Sequence, residues 1–258
     1  KIAVVVSAIG GITDLLLKTG TEASTKDEAY KSTFQHIKEK HLEFTSTLIQ
    51  DDQGAIDEVT ALLKELDELL YGIYLINELS PKTIDKLLSY GEILSSSIIA
   101  RAMYTQDLDA KQKDSRDLIT TNNKHTKASV NYKVTYSQLN YYFTKAKQRI
   151  TVLPGFIASS ESGETTTLGR GGSDFTAAIV AAGLSVDQLE IYTDVSGMFT
   201  ANPKIVKQAK PIADISYHEA MELSHFGAKV LYPPTIVPVM SKNIPILIKN
   251  TLEPDAPG

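Results

Sequence analysis

The residues best suited to chemistry in this sequence lie in Leu168-Gly-Arg-Gly-Gly-Ser-Asp174, between a strand-like run and an Ala-rich helical one. Three glycines within residues 169–172 let backbone N–H groups come close to an anion. The N-terminus of the following helix adds about half a positive charge. Arg170 inside the loop carries a planar fork that matches a carboxylate or a phosphate. Ser173 and Asp174 stand where an N-cap is expected. The plainer alternative is a turn with a cap, as many glycine-rich turns before helices are. An arginine set among three glycines favours the anion site.

Other positions carry weaker signals. Ser7 ends the β-branched run Ile2-Ala-Val-Val-Val-Ser7, and Thr193-Asp194 ends a second run over residues 188–193. Ligands gather at such carboxyl ends in open α/β sheets. Glu92 lies in Ser89-Tyr-Gly-Glu92, inside an otherwise apolar helix. Gly91 there costs about 1 kcal/mol relative to Ala, which calls for a close neighbour. The alternative is a helix–helix contact with Glu92 at the surface. Lys229, in Phe226-Gly-Ala-Lys229, either reaches a phosphate or is an ordinary solvated lysine. No Gly-x-x-x-x-Gly-Lys-Ser/Thr occurs, so this is not a P-loop protein, and no Gly-x-Gly-x-x-Gly follows the first strand. His36 and His41 are spaced off the helical metal-pair interval, and His218 and His225 read as a solvated face, so no metal site is predicted.

Composition narrows the classes. The 258 residues hold 26 Lys+Arg against 31 Asp+Glu, a net charge of -5, which argues against general nucleic-acid binding. With 42% hydrophobic and 22% charged residues the chain has the make-up of a folded globular protein. No apolar stretch approaches the roughly 20 residues of a membrane span, so no membrane partner is expected. The absence of cysteine excludes a disulfide scaffold and thiolate chemistry, and suits the cytoplasm. Lys1 opens the sequence, and no leader pattern follows it.

These residues need elements to position them. A buried strand over residues 2–7, a glycine turn and a helix from Ile12 open the chain, and residues 26–79 read as helical through spacings such as Leu62, Leu66, Leu69, Leu70 and Ile73. Ser80-Pro81 is an N-cap and N1 pair for a helix running to about Met103. Residues 108–129 read as loop with one strand near 115–120, residues 136–149 as helix, and residues 150–158 as a second buried strand with a turn at its end. An Ala-rich helix to about Gly183, a strand over 188–193, a helix over 216–226 with a Ser216/Glu219 capping box and a strand over 244–249 complete the pattern. Helices alternating with continuous apolar strands predict an α/β fold with a largely parallel sheet covered on both sides, in one domain.

Taken together, Val6-Ser-Ala-Ile-Gly-Gly-Ile-Thr13, Ser89-Tyr-Gly-Glu92, Gly155-Phe156, Thr166-Thr-Leu-Gly-Arg-Gly-Gly-Ser-Asp174, Tyr192-Thr-Asp-Val-Ser-Gly197 and Phe226-Gly-Ala-Lys-Val-Leu231 follow the order found in aspartokinases. The chain resembles that family over nearly its whole length, most closely over residues 166–258. Residues 216–233, with Ile248-Lys-Asn-Thr251, are similar to the kinase part of bifunctional aspartokinase–homoserine dehydrogenases. Kinases of glutamate, acetylglutamate or uridylate share the fold but lack the Leu-Gly-Arg-Gly-Gly-Ser-Asp loop.

The resemblance implies a three-layer α/β/α amino-acid kinase fold with an acceptor-binding lobe over about residues 1–165 and a nucleotide-binding lobe over about 166–258. It implies transfer of the γ-phosphoryl of ATP, with Mg²⁺, to the side-chain carboxylate of L-aspartate, a step toward lysine, threonine and methionine. By the same resemblance Ser7, Ala8, Thr13, Glu92, Phe156, Arg170, Gly171, Gly172 and Ser173 form the aspartate pocket, Arg170 pairing with a carboxylate and Glu92 with the α-ammonium. Thr193, Asp194, Phe199, Lys204, Lys229 and Val230 line the nucleotide site, and Asp174 holds a catalytic lysine. A carboxylate acceptor is already ionised at neutral pH, so positioning and charge neutralisation suffice without a general base. A cytoplasmic homodimer is expected.

The sequence departs from the family in places. The family begins with a Lys-Phe-Gly-Gly-Thr-Ser strand and loop that supplies the catalytic lysine; a segment of that kind is expected roughly 25–35 residues before Lys1, the length of a strand, loop and helix, with its strand beside residues 2–7. Asn202-Pro203-Lys204 replaces Asp-Pro-Arg, Phe199 replaces a common Tyr, and the regulatory ACT-type domains that follow in the family have no counterpart before Gly258. The rival expectations are another small-molecule kinase of the same fold and a degenerate amino-acid-binding domain without transfer activity.

Overall fold

The computed structural model describes residues 1–50, 52–201, 205–226 and 232–253, with the backbone alone at 225 and 226. The chain divides into two compact units, Lys1–Gly169 and Arg170–Gly258.

The first unit opens with β1 (Ile2–Val6) and four helices, α1 (Ile12–Ser24), α2 (Ala29–Leu48), α3 (Gln53–Ile76) and α4 (Pro81–Thr105). Each begins for a local reason. Asp52 caps α3 by accepting from the Ala55 N–H at 3.2 Å, and Ser80 caps α4 ahead of Pro81, accepting from the Thr83 N–H at 3.3 Å. Asn77, in the left-handed conformation at φ 55°, ends α3. Leu63, Leu66, Leu70 and Ile73 repeat at helical spacing and are fully buried against Ile12, Leu16, Ile37, Leu87 and Leu94. Each such side chain contributes about 2 kcal/mol through removal from water.

After α4 come β2 (Ala110–Gln112), a 3₁₀ turn (Ser115–Asp117), β3 (Thr120–Thr121), α5 (Tyr132–Lys145), β4 (Ile150–Pro154), β5 (Ile157–Ser160) and β6 (Thr165–Thr167). The strand expected near 115–120 is instead this turn. Asp114 accepts from the Arg116 N–H at 2.9 Å and curls the chain, leaving short strands on either side. The run over 150–158 is two strands, broken at Gly155-Phe156. Helix α5 starts and ends four residues earlier than its apolar spacing suggested, because Asn131 caps it through the Val134 N–H at 3.3 Å. In the three-stranded order β1-β4-β2 both pairings are parallel, and β1 lies at the margin. β3 pairs parallel and β6 antiparallel with β5.

The second unit contains α6 (Gly172–Leu184), β7 (Leu189–Thr193), β8 (Met198–Phe199), β9 (Pro211–Ile212), α7 (Tyr217–Phe226), α8 (Pro233–Met240) and β10 (Ile246–Asn250). β7 and β10 pair parallel, Leu189 opposite Ile246. Their buried faces meet Ala178 and Ala181 of α6 and Ile236 and Val239 of α8. The capping box forms: the Ser216 hydroxyl accepts from the Glu219 N–H at 3.3 Å, and Glu219 accepts from the Ser216 N–H at 3.0 Å. Helix α8 escapes a reading of sequence because three of its residues are proline; Pro233 and Pro234 occupy the first turn, where no N–H is missed.

Candidate active site

In the first unit the chemistry collects at the carboxyl ends of β1 and β4. The two strands run in register to Val6 opposite Pro154, and the Gly155 N–H donates to the Val6 carbonyl at 2.8 Å, so Ser7-Ala8 and Gly155-Phe156 emerge side by side. Ser7 is exposed, and Thr13 is half-buried in the first turn of α1. Phe156 sits at φ 65°, in the left-handed region that a bulky side chain avoids. Its carbonyl accepts from the Leu168 N–H at 2.9 Å, which ties the turn to the end of β6. Strain of this kind costs on the order of 1–3 kcal/mol and gathers where a ligand is held.

Helix α4 brings Glu92 to the same place. A Cβ added at Gly91 would lie 2.9 Å from the Ala8 Cβ, so the glycine lets the helix press against the β1–α1 turn. The close neighbour expected at Gly91 is therefore Ala8, and the alternative of a surface Glu92 is overturned: Glu92 is only 4% exposed. Its Oε1 accepts from the Ala8 N–H at 3.4 Å, while Oε2 has no hydrogen-bond partner. Burial pushes the carboxyl up to about 7, with a smaller opposing pull from the Ala8 N–H. A buried carboxylate with one open oxygen calls for a cation or a proton.

The second unit opens on the glycine loop. Gly171 is at φ 65°, and a Cβ there would meet the Tyr232 Cβ at 2.7 Å, so both conformation and space demand glycine. The N-cap of α6 is Gly171 itself, with no side-chain hydrogen bond, and not Ser173 or Asp174. Because the left-handed glycine starts the helix two residues early, both fall within its first turn. The first N–H groups of α6 are therefore left without a side-chain cap, the arrangement that suits an anion. Arg170 is exposed and makes no hydrogen bond or ion pair among the described residues. Asp174 is half-buried, and burial raises its carboxyl above the usual range.

Also in the second unit, Thr193 ends β7, its hydroxyl donating to Asp194 Oδ1 at 3.3 Å, and its carbonyl accepts from the Thr251 N–H at 2.9 Å. Asp194 is exposed, and Phe199 is half-buried in β8. Lys204, Lys229 and Val230 lie outside the described residues. Sequence reasoning missed a second buried acid on α4, Asp85, which is 0% exposed. Its spacing of two helical turns from Glu92 was the available signal.

Strand ends that gather an unsatisfied buried carboxylate characterise α/β proteins that bind small charged molecules. The sequence matches the amino acid kinase family over residues 1–250, and the chain belongs to that family. It is 34% identical over 258 residues to the bifunctional aspartokinase/homoserine dehydrogenase 2, chloroplastic, of Arabidopsis thaliana, covering 99% of this chain and 28% of the relative. It is 32% identical over 263 residues to the lysine-sensitive aspartokinase 3 of Escherichia coli (strain K12), covering 99% of this chain and 56% of the relative. The crystal structure of E. coli aspartokinase III in complex with aspartate and ADP superposes with a TM-score of 0.91 at 31% identity, over 100% of this chain and 57% of that one. The fold is the α/β amino-acid kinase fold that the resemblance implied. The chain spans little more than a quarter of the plant relative's length.

Proposed function

We propose that this chain transfers the γ-phosphoryl group of ATP to the side-chain carboxylate of L-aspartate, giving 4-phospho-L-aspartate and ADP. The observation that carries this reading is Glu92: a buried carboxylate with an open oxygen, beside the carboxyl ends of β1 and β4. It suits the α-ammonium of an amino acid, which supplies both the charge and the hydrogen bond that Oε2 lacks. Ser7, Ala8 and Phe156 follow the same strand ends, and with Thr13 in the first turn of α1 they are proposed to complete the acceptor pocket. Arg170, Gly171, Gly172 and Ser173 offer a guanidinium fork and uncapped N–H groups for a carboxylate. The solved relative in complex with aspartate and ADP supports the same pair of ligands.

Thr193, Asp194 and Phe199, with Lys204, Lys229 and Val230 assigned from sequence alone, are proposed to receive the nucleotide. Asp174, raised by burial, suits a partner cation such as a lysine. Among the described residues no group of three or more acidic or histidine side chains is placed to hold a metal. Mg²⁺ carried on the triphosphate needs only one or two protein carboxylates, and the exposed Asp194 fits that demand. When bound, the ion neutralises charge on the transferring phosphoryl group. No described helix is long and apolar enough to cross a membrane. The lack of cysteine agrees with a reducing compartment such as the cytoplasm.

The test is aspartate-dependent ADP release by the complete natural protein, with glutamate and uridylate as competing acceptors. Release with aspartate alone is expected. Release only with another acceptor would reassign the substrate, and aspartate binding without release would mark a non-catalytic amino-acid-binding domain.

A further inference from the structure

Helix α4 carries a buried polar stripe, Asp85, Ser89, Glu92 and Ser96, at helical spacing. Glu92 belongs to the acceptor site described above, but Asp85 makes no hydrogen bond or ion pair with that site's residues among the described residues. It is 0% exposed, and no lysine or arginine pairs with it among the described residues. Its charge is met by donors from two other segments. The Thr126 N–H lies 3.0 Å from each carboxylate oxygen, the Thr167 hydroxyl donates to Oδ1 at 2.6 Å, and His125 Nδ1 lies 2.9 Å from Oδ2.

Those donors sit at a junction. Thr167 is the last residue of β6, and its carbonyl accepts from the Ala128 N–H at 2.9 Å, closing the 125–128 loop onto the strand. The next residue, Leu168, donates its N–H to the carbonyl of the strained Phe156. A wholly buried carboxylate is expensive, and a well-packed apolar residue there would often be as stable or more so. A buried carboxylate at this position invites a reason other than stability. The geometry offers one: a single rigid helix holds Glu92 directly, and two turns earlier holds the end of β6 through Asp85.

We propose that Asp85 is a positioning residue for the acceptor site: by gripping Thr126 and Thr167 it fixes the end of β6, and through it the Phe156 turn. The role rests on the aspartate-kinase reading only for what the site binds; the grip on β6 is a property of the first unit itself.

The experiment uses the complete natural protein. Thr167→Val removes the hydroxyl that meets Asp85 while keeping the side-chain shape, and Thr167→Ser restores it. Thr167→Val is expected to raise the KM for aspartate about tenfold, the scale of one lost hydrogen bond to a charged group. The KM for ATP is expected to stay within about twofold, and Thr167→Ser to return both to wild-type values. Asp85→Asn shifts the aspartate KM in the same direction; if it fails to fold, the Thr167 pair decides. A folded Thr167→Val with both KM values unchanged, or both raised equally, overturns the proposal, since a purely structural bond lowers melting temperature without separating the two substrates. If the wild type shows no aspartate-dependent ADP release, the functional reading falls. Amide hydrogen exchange then decides the grip: faster exchange at Thr126 and Leu168 in Thr167→Val, with β4 still protected, supports it, and unchanged exchange overturns it.

Discussion

Gly91 of α4 and Ala8 after β1 approach so closely that one added methyl on the helix would sit 2.9 Å from the Ala8 Cβ. The close approach is what brings Glu92 Oε1 to the Ala8 N–H, at 3.4 Å.

Gly91→Ala therefore sets two effects against each other. Alanine favours the helix by about 1 kcal/mol, but the contact with Ala8, backed by Leu16 at 3.3 Å, forces the helix away. Overpacking a well-filled site costs about 1–3 kcal/mol, so the net is a modest destabilisation. Aspartate affinity is expected to fall more steeply than stability, as shown by calorimetry beside a thermal melt. A variant with unchanged affinity would mean that the helix need not touch the turn.

Aspartate binding should be coupled to a proton. The free Glu92 carboxyl, held near 7 by burial, is partly protonated at neutral pH, and an ammonium partner favours its ionised form. Binding then releases protons, and affinity strengthens as pH rises from about 6 to 8. Titration calorimetry in two buffers of different ionisation enthalpy reads the proton count. Glu92→Gln should bind aspartate weakly and without that pH dependence.

The same group predicts the stability profile of the ligand-free protein. A carboxylate whose folded pKa is raised makes ionisation costly to the fold, so the penalty is absent below about 4.5, grows toward 7 and is complete above it. The shift from 4.5 to about 7 corresponds to roughly 3 kcal/mol. Glu92→Gln should accordingly raise the melting temperature at pH 8 and leave it nearly unchanged at pH 4. An equal change at both values would show that packing, not charge, governs the site.

Arg170→Lys tests the glycine loop. Arg170 is exposed and unpaired among the described residues, so melting temperature should hold. Aspartate affinity should drop by about tenfold or more, because an ammonium cannot reproduce the two-pronged contact of a guanidinium with a carboxylate. ATP affinity should change little. Equal losses for both ligands would remove Arg170 from the acceptor site.

Local chemistry was legible where a few neighbouring residues decide the outcome. Ser80-Pro81 starts α4, Ser216 and Glu219 close their box, and the valine run of β1 makes a strand, since caps and β-branching act within one or two turns of chain. The glycine–arginine loop before α6 belongs to the same class. Even here short-range competition misled: Asp114 turned a strand-like stretch into a 3₁₀ turn, and Gly171 took the cap from Ser173 and Asp174.

What only the tertiary structure decided is the state of the acids. Nothing local distinguishes a surface glutamate from one with an open oxygen in the interior; Glu92 becomes the second through Ala8, 84 residues away in sequence. Asp85 likewise acquires its donors from residues 40 to 82 positions distant. Burial and hydrogen-bond supply are set by which segments fold against one another, and it is that environment, not the residue type, that sets how tightly a carboxyl holds its proton.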